Sequence, residues 1–321
     1  MGFNIQTIGI YLPSNKIGYQ EKNGPDKQIF EKNGGAKIRY WASNSNETNS
    51  YMGSEALKTA LKDANMAYSE LDLLINGSAT FDYPIPHRSC LTQELMDPLA
   101  LIPSIDVGST CLGFISSCIV ANGLLSQGYN SIAIINSEKS SNSLNPNHLE
   151  SYLLFGDGAT ATIINGFGPS QLLANHIINY PAGARNTIVH AGGNVHLGYI
   201  PTEKENYYFQ MSGISLLKQA KILLPNFVSE LFNKAKLQWK DIDLVIPHQA
   251  SKIGLELFQK MFQITEEKWV VNIDSVGNLL SASIPMALQE VITSGRLKRG
   301  QTILIIGTGA GFSMGGLILK Y

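Results

Sequence analysis

Cys111 stands where a thiol can react. It follows the turn residues Gly108-Ser-Thr and precedes Leu112, Ile115, Ile119 and Val120, which recur at helical spacing. Gly113, Ser116, Ser117 and Ala121 give that expected helix a slim face suited to close packing. A thiol at a helix start meets the positive end of the macrodipole and free N–H groups, which lower its pKa and raise its thiolate fraction. Free cysteine is also among the most buried residue types, so an inert core filler competes with a nucleophile here. Three more stretches carry usable chemistry: an imidazole in Pro247-His248-Gln-Ala-Ser, an amide in Ser275-Val-Gly-Asn278, and a flexible backbone in Gly307-Thr-Gly-Ala-Gly311 that can aim N–H groups at a ligand.

These residues need elements to position them. Residues 3 to 12 read as a strand ended by Pro13-Ser-Asn. A short helix is expected around Asp26 to Lys32, then a basic and aromatic knot, Lys37-Ile-Arg-Tyr-Trp41, with Arg39 on a surface. Glu55 to Ala67 is amphipathic and leads into a buried strand ending at Ile75. A loop from Gly77 to Arg88, a helix near Cys90 to Met96, the strand ahead of Cys111, and the apolar strands Ser131–Ile135 and Gly156–Ile164 follow.

An internal repeat organises this succession. Ala56–Ile75 aligns without a gap on Phe227–Ile246, so that Asp72 meets Asp243, Leu73 meets Leu244 and Tyr68 meets Trp239, each 171 positions on. Ser131-Ile-Ala-Ile-Ile meets Thr302-Ile-Leu-Ile-Ile at the same offset of 171. Ser104-Ile-Asp-Val-Gly resembles Asn272-Ile-Asp-Ser-Val-Gly at a nearby offset, which makes the Ser275–Asn278 turn the expected counterpart of the Cys111 turn. Two similar α/β halves are expected, residues 1–170 and 171–321, with 181–212 as a polar, glycine-rich excursion. Ligands of α/β sheets bind beyond the carboxyl ends of strands, so the loops carrying Cys111, His248, Asn278 and Gly307–Gly311 are expected on one face.

Composition narrows the classes. With 24 Lys and Arg against 25 Asp and Glu in 321 residues, no global field attracts nucleic acid or an anionic membrane. Cys90, Cys111 and Cys118 form no C-x-x-C pair, and the histidines show no metal-ligand spacing, so neither a disulfide framework nor a metal site is expected. No basic leader with a long apolar run and no uninterrupted membrane-length apolar stretch is present, so a soluble, cytoplasmic protein is expected. Gly307-x-Gly-x-Gly lacks the Lys-Ser/Thr follow-up of a phosphate loop.

Five stretches in order carry a resemblance that spans the chain: Asp106-Val-Gly-Ser-Thr-Cys111-Leu-Gly-Phe, Phe155-Gly-Asp-Gly-Ala, Pro247-His-Gln-Ala-Ser, Val276-Gly-Asn278 followed by Ala282-Ser-Ile-Pro-Met-Ala-Leu, and Gly309-Ala-Gly-Phe-Ser-Met-Gly315. The sequence resembles the β-ketoacyl-acyl-carrier-protein synthase III family of the thiolase superfamily. The resemblance implies a five-layered αβαβα fold of two pseudo-symmetric halves, a homodimer, and no cofactor beyond coenzyme A or phosphopantetheine thioesters as substrates. It implies that Cys111 takes an acyl group from acyl-coenzyme A or an acyl carrier protein. His248 and Asn278 then hold a malonyl thioester, malonyl-ACP or malonyl-CoA, for decarboxylative Claisen condensation, in fatty acid or specialised polyketide or aromatic biosynthesis. Thiolate nucleophile and N–H donors suit those roles. The backbone N–H groups of Cys111 and Ala310 are the expected oxyanion hole for acylation. Simple acyl transfer, alkylquinolone- or dialkylresorcinol-type synthesis, and a non-catalytic partner subunit are the alternatives.

The chain departs from the family pattern in places. No Trp precedes Ile38-Arg39, leaving Phe30 as the candidate to stack on an adenine. The Arg usually found after His-Gln-Ala-Asn is replaced in His248-Gln-Ala-Ser-Lys-Ile-Gly254. Arg39, Lys218 and Lys252 are the candidate substrate or carrier contacts. Thr80–Arg88 lacks the Glu of relatives that join two acyl chains head to head, with Asp82 and His87 as the loop's titratable groups.

Overall fold

Apolar runs form strands here because both faces of each strand are covered. In Ser131–Lys139, Ile132 and Ile134 enter one core while Ala133 and Ile135 enter another; in Thr302–Gly309, Ile303 and Ile305 share that first core while Leu304 and Ile306 enter a third. The computed structural model describes residues 2–18, 30, 34–195 and 203–321. Its strands are β1 (Asn4–Tyr11), β2 (Asn15–Gly18), β3 (Ile38–Trp41), β4 (Leu73–Asn76), β5 (Ser104–Asp106), β6 (Ser131–Lys139), β7 (Asp157–Asn165), β8 (Gln171–Asn179), β9 (Thr187–Ile188), β10 (Gln210–Met211), β11 (Leu244–Pro247), β12 (Thr302–Gly309) and β13 (Ser313–Lys320).

One sheet has the order β1-β7-β6-β4-β5 and the other β11-β12-β13-β8, while β2–β3 and β9–β10 are two-stranded ribbons. β4 runs parallel to β6, and β6–β7 and β7–β1 are antiparallel. β11–β12, β12–β13 and β13–β8 repeat that sequence of senses. Between the sheets lie the helices Gly113–Leu125 and Ser283–Thr293, whose Phe114, Ile115, Cys118, Ile284 and Leu288 fill the central core. Asn49–Ala64 covers the outer face of the first sheet, and Gly213–Ala235 with Lys252–Phe262 covers the second. The layers are αβαβα. Cys118 is a buried member of the central core.

Local chemistry sets the helix ends. Thr48 Oγ1 accepts from Tyr51 N and Ser251 Oγ from Gly254 N, both at 3.1 Å. The repeat-related helices close on left-handed residues, Asn65 at φ 51° and Lys236 at φ 56°.

Two expectations change. Asn272–Gly277 is no strand counterpart of β5, because Ile273–Val276 coils into one helical turn. The true counterpart of the cysteine turn lies further on: Thr110–Leu112 and Leu280–Ala282 are both 3-10 turns that run straight into the two central helices. Ser281 thus takes the place of Cys111 in the second half. The helix expected at Asp26–Lys32 lies outside the described residues, Phe30 apart.

Candidate active site

Thr110 carries the turn at φ +48°, a costly conformation for a β-branched residue, and so aims Cys111 out of the strand line toward the other half. The helix behind it approaches closely. A Cβ on Gly113 would fall 1.8 Å from Gly77 O, so only glycine lets the helix start seat under the loop after β4. Gly309 is equally constrained, since a Cβ there would meet Leu112 at 3.0 Å and Thr110 Oγ1 at 3.3 Å.

Cys111, His248, Asn278 and Ala310 line a single cavity of about 540 Å³, together with apolar walls such as Leu144, Phe155, Phe209, Leu217 and Phe258. The strand-end loops of both halves therefore meet. His248 follows β11 and packs beside Gly307, whose missing Cβ would lie 2.8 Å from His248 Cβ and 3.4 Å from Leu112. His248 is buried and its Nδ1 has no partner among the described residues. Burial pushes its pKa down to about 4, so it is neutral at pH 7 and one ring nitrogen carries a proton to donate.

Asn278 is fixed from both ends. Its backbone bridges Leu154 O at 2.8 Å and Gly156 N at 3.1 Å. Its Oδ1 accepts from Leu280 N at 2.8 Å, and its Nδ2 donates to Ala250 O at 3.2 Å, leaving one Nδ2 hydrogen for a ligand.

The thiol's acidity runs against expectation. Cys111 is pushed up to about 12, first by burial and then by the charge of Glu138, although the backbone N–H groups of Ala310 and Cys111 point at the sulfur and pull it down. Desolvation in apolar surroundings outweighs the helix start. Cys111 and Ala310 thus share one wall of the cavity.

The candidate cations fall elsewhere. Arg39 is buried, not on a surface: its guanidinium donates to Tyr152 O and lies 5.0 Å from the Trp41 ring and 5.8 Å from the Tyr152 ring. It pins β3 to the Leu149–Tyr152 turn, where burying the planar group against aromatics is favourable. Lys252 pairs with Asp274 at 2.5 Å and lies over the Phe30 ring. Phe30 is itself buried, so it offers no open face to an adenine. Lys218 is exposed and outside the cavity lining, whereas Lys221 and Glu150, which sequence reasoning passed over, are in it. Asp82 accepts from Asn49 N and Ser50 N at 2.7 and 2.9 Å, capping that helix, and His87 is exposed. Asp82 is thereby a helix-capping group, while the His87 ring stays on the surface with its Nε2 3.3 Å from Ser104 Oγ. Glu138 was also missed; only folding carries it from the end of β6 to the loop after β4.

A thiol, a neutral imidazole and an amide beneath two halves of an αβαβα fold define a thiolase-fold condensing enzyme of the acyltransferase class. Residues 105–181 match the family 3-oxoacyl-[acyl-carrier-protein] synthase III, and residues 232–321 match its C-terminal part. The chain belongs to the β-ketoacyl-[acyl-carrier-protein] synthase III family. It is 32% identical to the β-ketoacyl-[acyl-carrier-protein] synthase III of Aquifex aeolicus over 100% of both chains, and 30% identical to that of Staphylococcus haemolyticus over 100% of this chain and 99% of the relative. The crystal structure of the Aquifex aeolicus synthase superposes with a TM-score of 0.87 at 30% identity, covering all of both chains. A structure of Xanthomonas campestris OleA, at 18% identity and a TM-score of 0.86 over 100% and 99% of the two chains, speaks to the fold alone.

Proposed function

We propose that this enzyme loads an acyl group onto Cys111 from an acyl thioester and condenses it with a malonyl thioester. The Cys111 sulfur attacks the thioester carbonyl, the N–H groups of Cys111 and Ala310 hold the oxyanion, and the donor thiol leaves with a proton. The malonyl thioester then loses CO₂. Its carbonyl oxygen becomes an enolate oxygen, to which His248 and Asn278 Nδ2 donate hydrogen bonds, and the enolate carbon attacks the acyl carbonyl and releases Cys111. Neutral His248 suits this step because it donates without carrying a charge into the apolar cavity.

The observation that carries the reading is the convergence of Cys111, His248, Asn278 and Ala310 on one cavity. Fatty acid biosynthesis is the setting that the family supports, with acyl-CoA as primer and malonyl-ACP as extender. The division into halves at 1–170 and 171–321 is supported by the sheets, one built from residues 4–165 and the other from 171–320. A homodimer is supported by the edge strand β5 and the apolar surface beside it: Leu99 is 85% and Leu101 97% exposed. Among the described residues no helix is long and apolar enough to cross a membrane.

Intact-mass measurement after incubation with a panel of acyl-coenzyme A thioesters tests the proposal. A mass gain of one acyl group, lost in Cys111→Ala, is expected. No gain with any acyl donor would overturn it.

A further inference from the structure

Glu138 is fully buried at the end of β6, yet it does not line the cavity. Its Oε1 accepts from Ala79 N at 2.7 Å and from Ser281 Oγ in a very short bond, while Oε2 accepts from Thr80 N at 2.9 Å and Thr80 Oγ1 at 2.8 Å. Four donors and no ion pair, among the described residues, make a socket shaped for an ionised carboxylate, which accepts at both oxygens and donates at neither. A carboxamide would turn its NH₂ on those donors.

The socket joins the two halves at the reacting face. Ala79 and Thr80 are cavity walls from the first half, and Ser281 belongs to the second. Ser281 stands next to Leu280, whose N–H donates to Asn278 Oδ1, so the chain Glu138, Ser281, Leu280, Asn278 runs from one half to the amide that faces the cavity in the other. Resting on the reading of Cys111 as nucleophile and Asn278 as donor, we propose that Glu138 is a positioning residue that clamps the Ala79–Thr80 loop to the Ser281 turn and thereby holds Asn278 on the malonyl carbonyl.

This clamp has a cost at the thiol. Burial holds the Glu138 carboxyl above the usual carboxylate range, its donors oppose that, and its charge in turn raises Cys111. The neighbouring titratable groups are otherwise engaged. His248 across the cavity is driven toward its neutral form, Asp157 on β7 is held by Ser141 and the Ala42 N–H, and the Lys139 ammonium donates to Glu47 O. Glu138 therefore has two separable effects: it orders Asn278, and it disfavours the Cys111 thiolate.

The test compares Glu138→Gln and Ser281→Ala with the wild type. Alkylation of Cys111 by iodoacetamide is followed across pH at the Cys111 peptide, and decarboxylation is followed with malonyl-coenzyme A or malonyl-loaded carrier protein, whichever the wild type uses. In Glu138→Gln the alkylation profile moves to lower pH by about one unit, the scale of ordinary pKa perturbation in folded proteins, while decarboxylation falls about tenfold. A merely structural loss would lower activity without that acid shift. Ser281→Ala keeps the charge and cuts the bridge, so decarboxylation falls about tenfold with the alkylation profile unmoved. It also carries the test if Glu138→Gln does not fold. Undiminished decarboxylation in folded Glu138→Gln or in Ser281→Ala overturns the clamp, and an unmoved profile in folded Glu138→Gln overturns the effect of its charge on Cys111. A wild-type Cys111 that takes no acyl group overturns the nucleophile reading beneath it, a result distinct from either.

Discussion

Thr110 and Leu280 share one backbone conformation, at φ +48° and +47°, and each is the first residue of a 3-10 turn that runs into a central helix. Neither is glycine, so both are held there by their surroundings. The pairing sets Cys111 and Ser281 in equivalent places: one half presents a thiol to the cavity, and the other uses the same position to hold Glu138. Thr110→Gly is expected to relieve left-handed strain of about 1–2 kcal/mol, partly offset by greater freedom of the unfolded chain. Chemical denaturation should therefore show a gain of up to about 1 kcal/mol, with slower acylation of a less firmly aimed Cys111.

His248 and Asn278 are expected to serve decarboxylation more than acylation. Replacing either by alanine removes one donor to the enolate oxygen, which costs about 10²–10³-fold in rate. Malonyl decarboxylation by each variant, measured beside its acyl-enzyme formation by intact mass, checks this. Unimpaired decarboxylation in both variants would refute the assignment.

Acid should destabilise the fold through His248. Its pKa of about 4 in the folded protein lies below the value of 6.5 it has when unperturbed, so the unfolded chain binds the proton more readily. The contribution is present above pH 6.5 and is lost as pH falls toward 4, amounting to about 3 kcal/mol in full. Denaturant unfolding at pH 7 and pH 4.5 should show a smaller difference in His248→Gln than in the wild type.

The exposed β5 edge makes a claim about assembly. Leu101→Asp places a charge in the apolar surface beside that edge and is expected to shift sedimentation toward the monomer, with loss of activity in step if the dimer shapes the site. A wild type that sediments as a monomer at micromolar concentration would dispose of the dimer.

The repeat was legible in the amino-acid order because it is written in contiguous apolar runs. The shared offset of Asp72 with Asp243 and of Ser131 with Thr302 anticipates β4, β6, β11 and β12 and the layered fold. Cys111, His248, Asn278 and Ala310 were legible because each sits at a strand end or a turn with strong local punctuation. Their expected meeting is the one that the cavity displays. Arg39 misled because a single cation in a polar stretch looks solvated, and only tertiary packing supplies the Tyr152 carbonyl and the two rings that bury it.

What the sequence determined by itself was the kind of chemistry and the layers that present it, since residue types and periodicity are local properties. Tertiary structure decided the electrostatics. The helix start argues for an acidic thiol, but burial and Glu138, which the fold alone brings near Cys111, reverse the sign. Glu138 lies 27 positions after Cys111 and 143 before Ser281, and no spacing rule connects the three. Long-range contacts joined them because the β6 strand end, the loop after β4 and the Ser281 turn all close on the same seam between the halves.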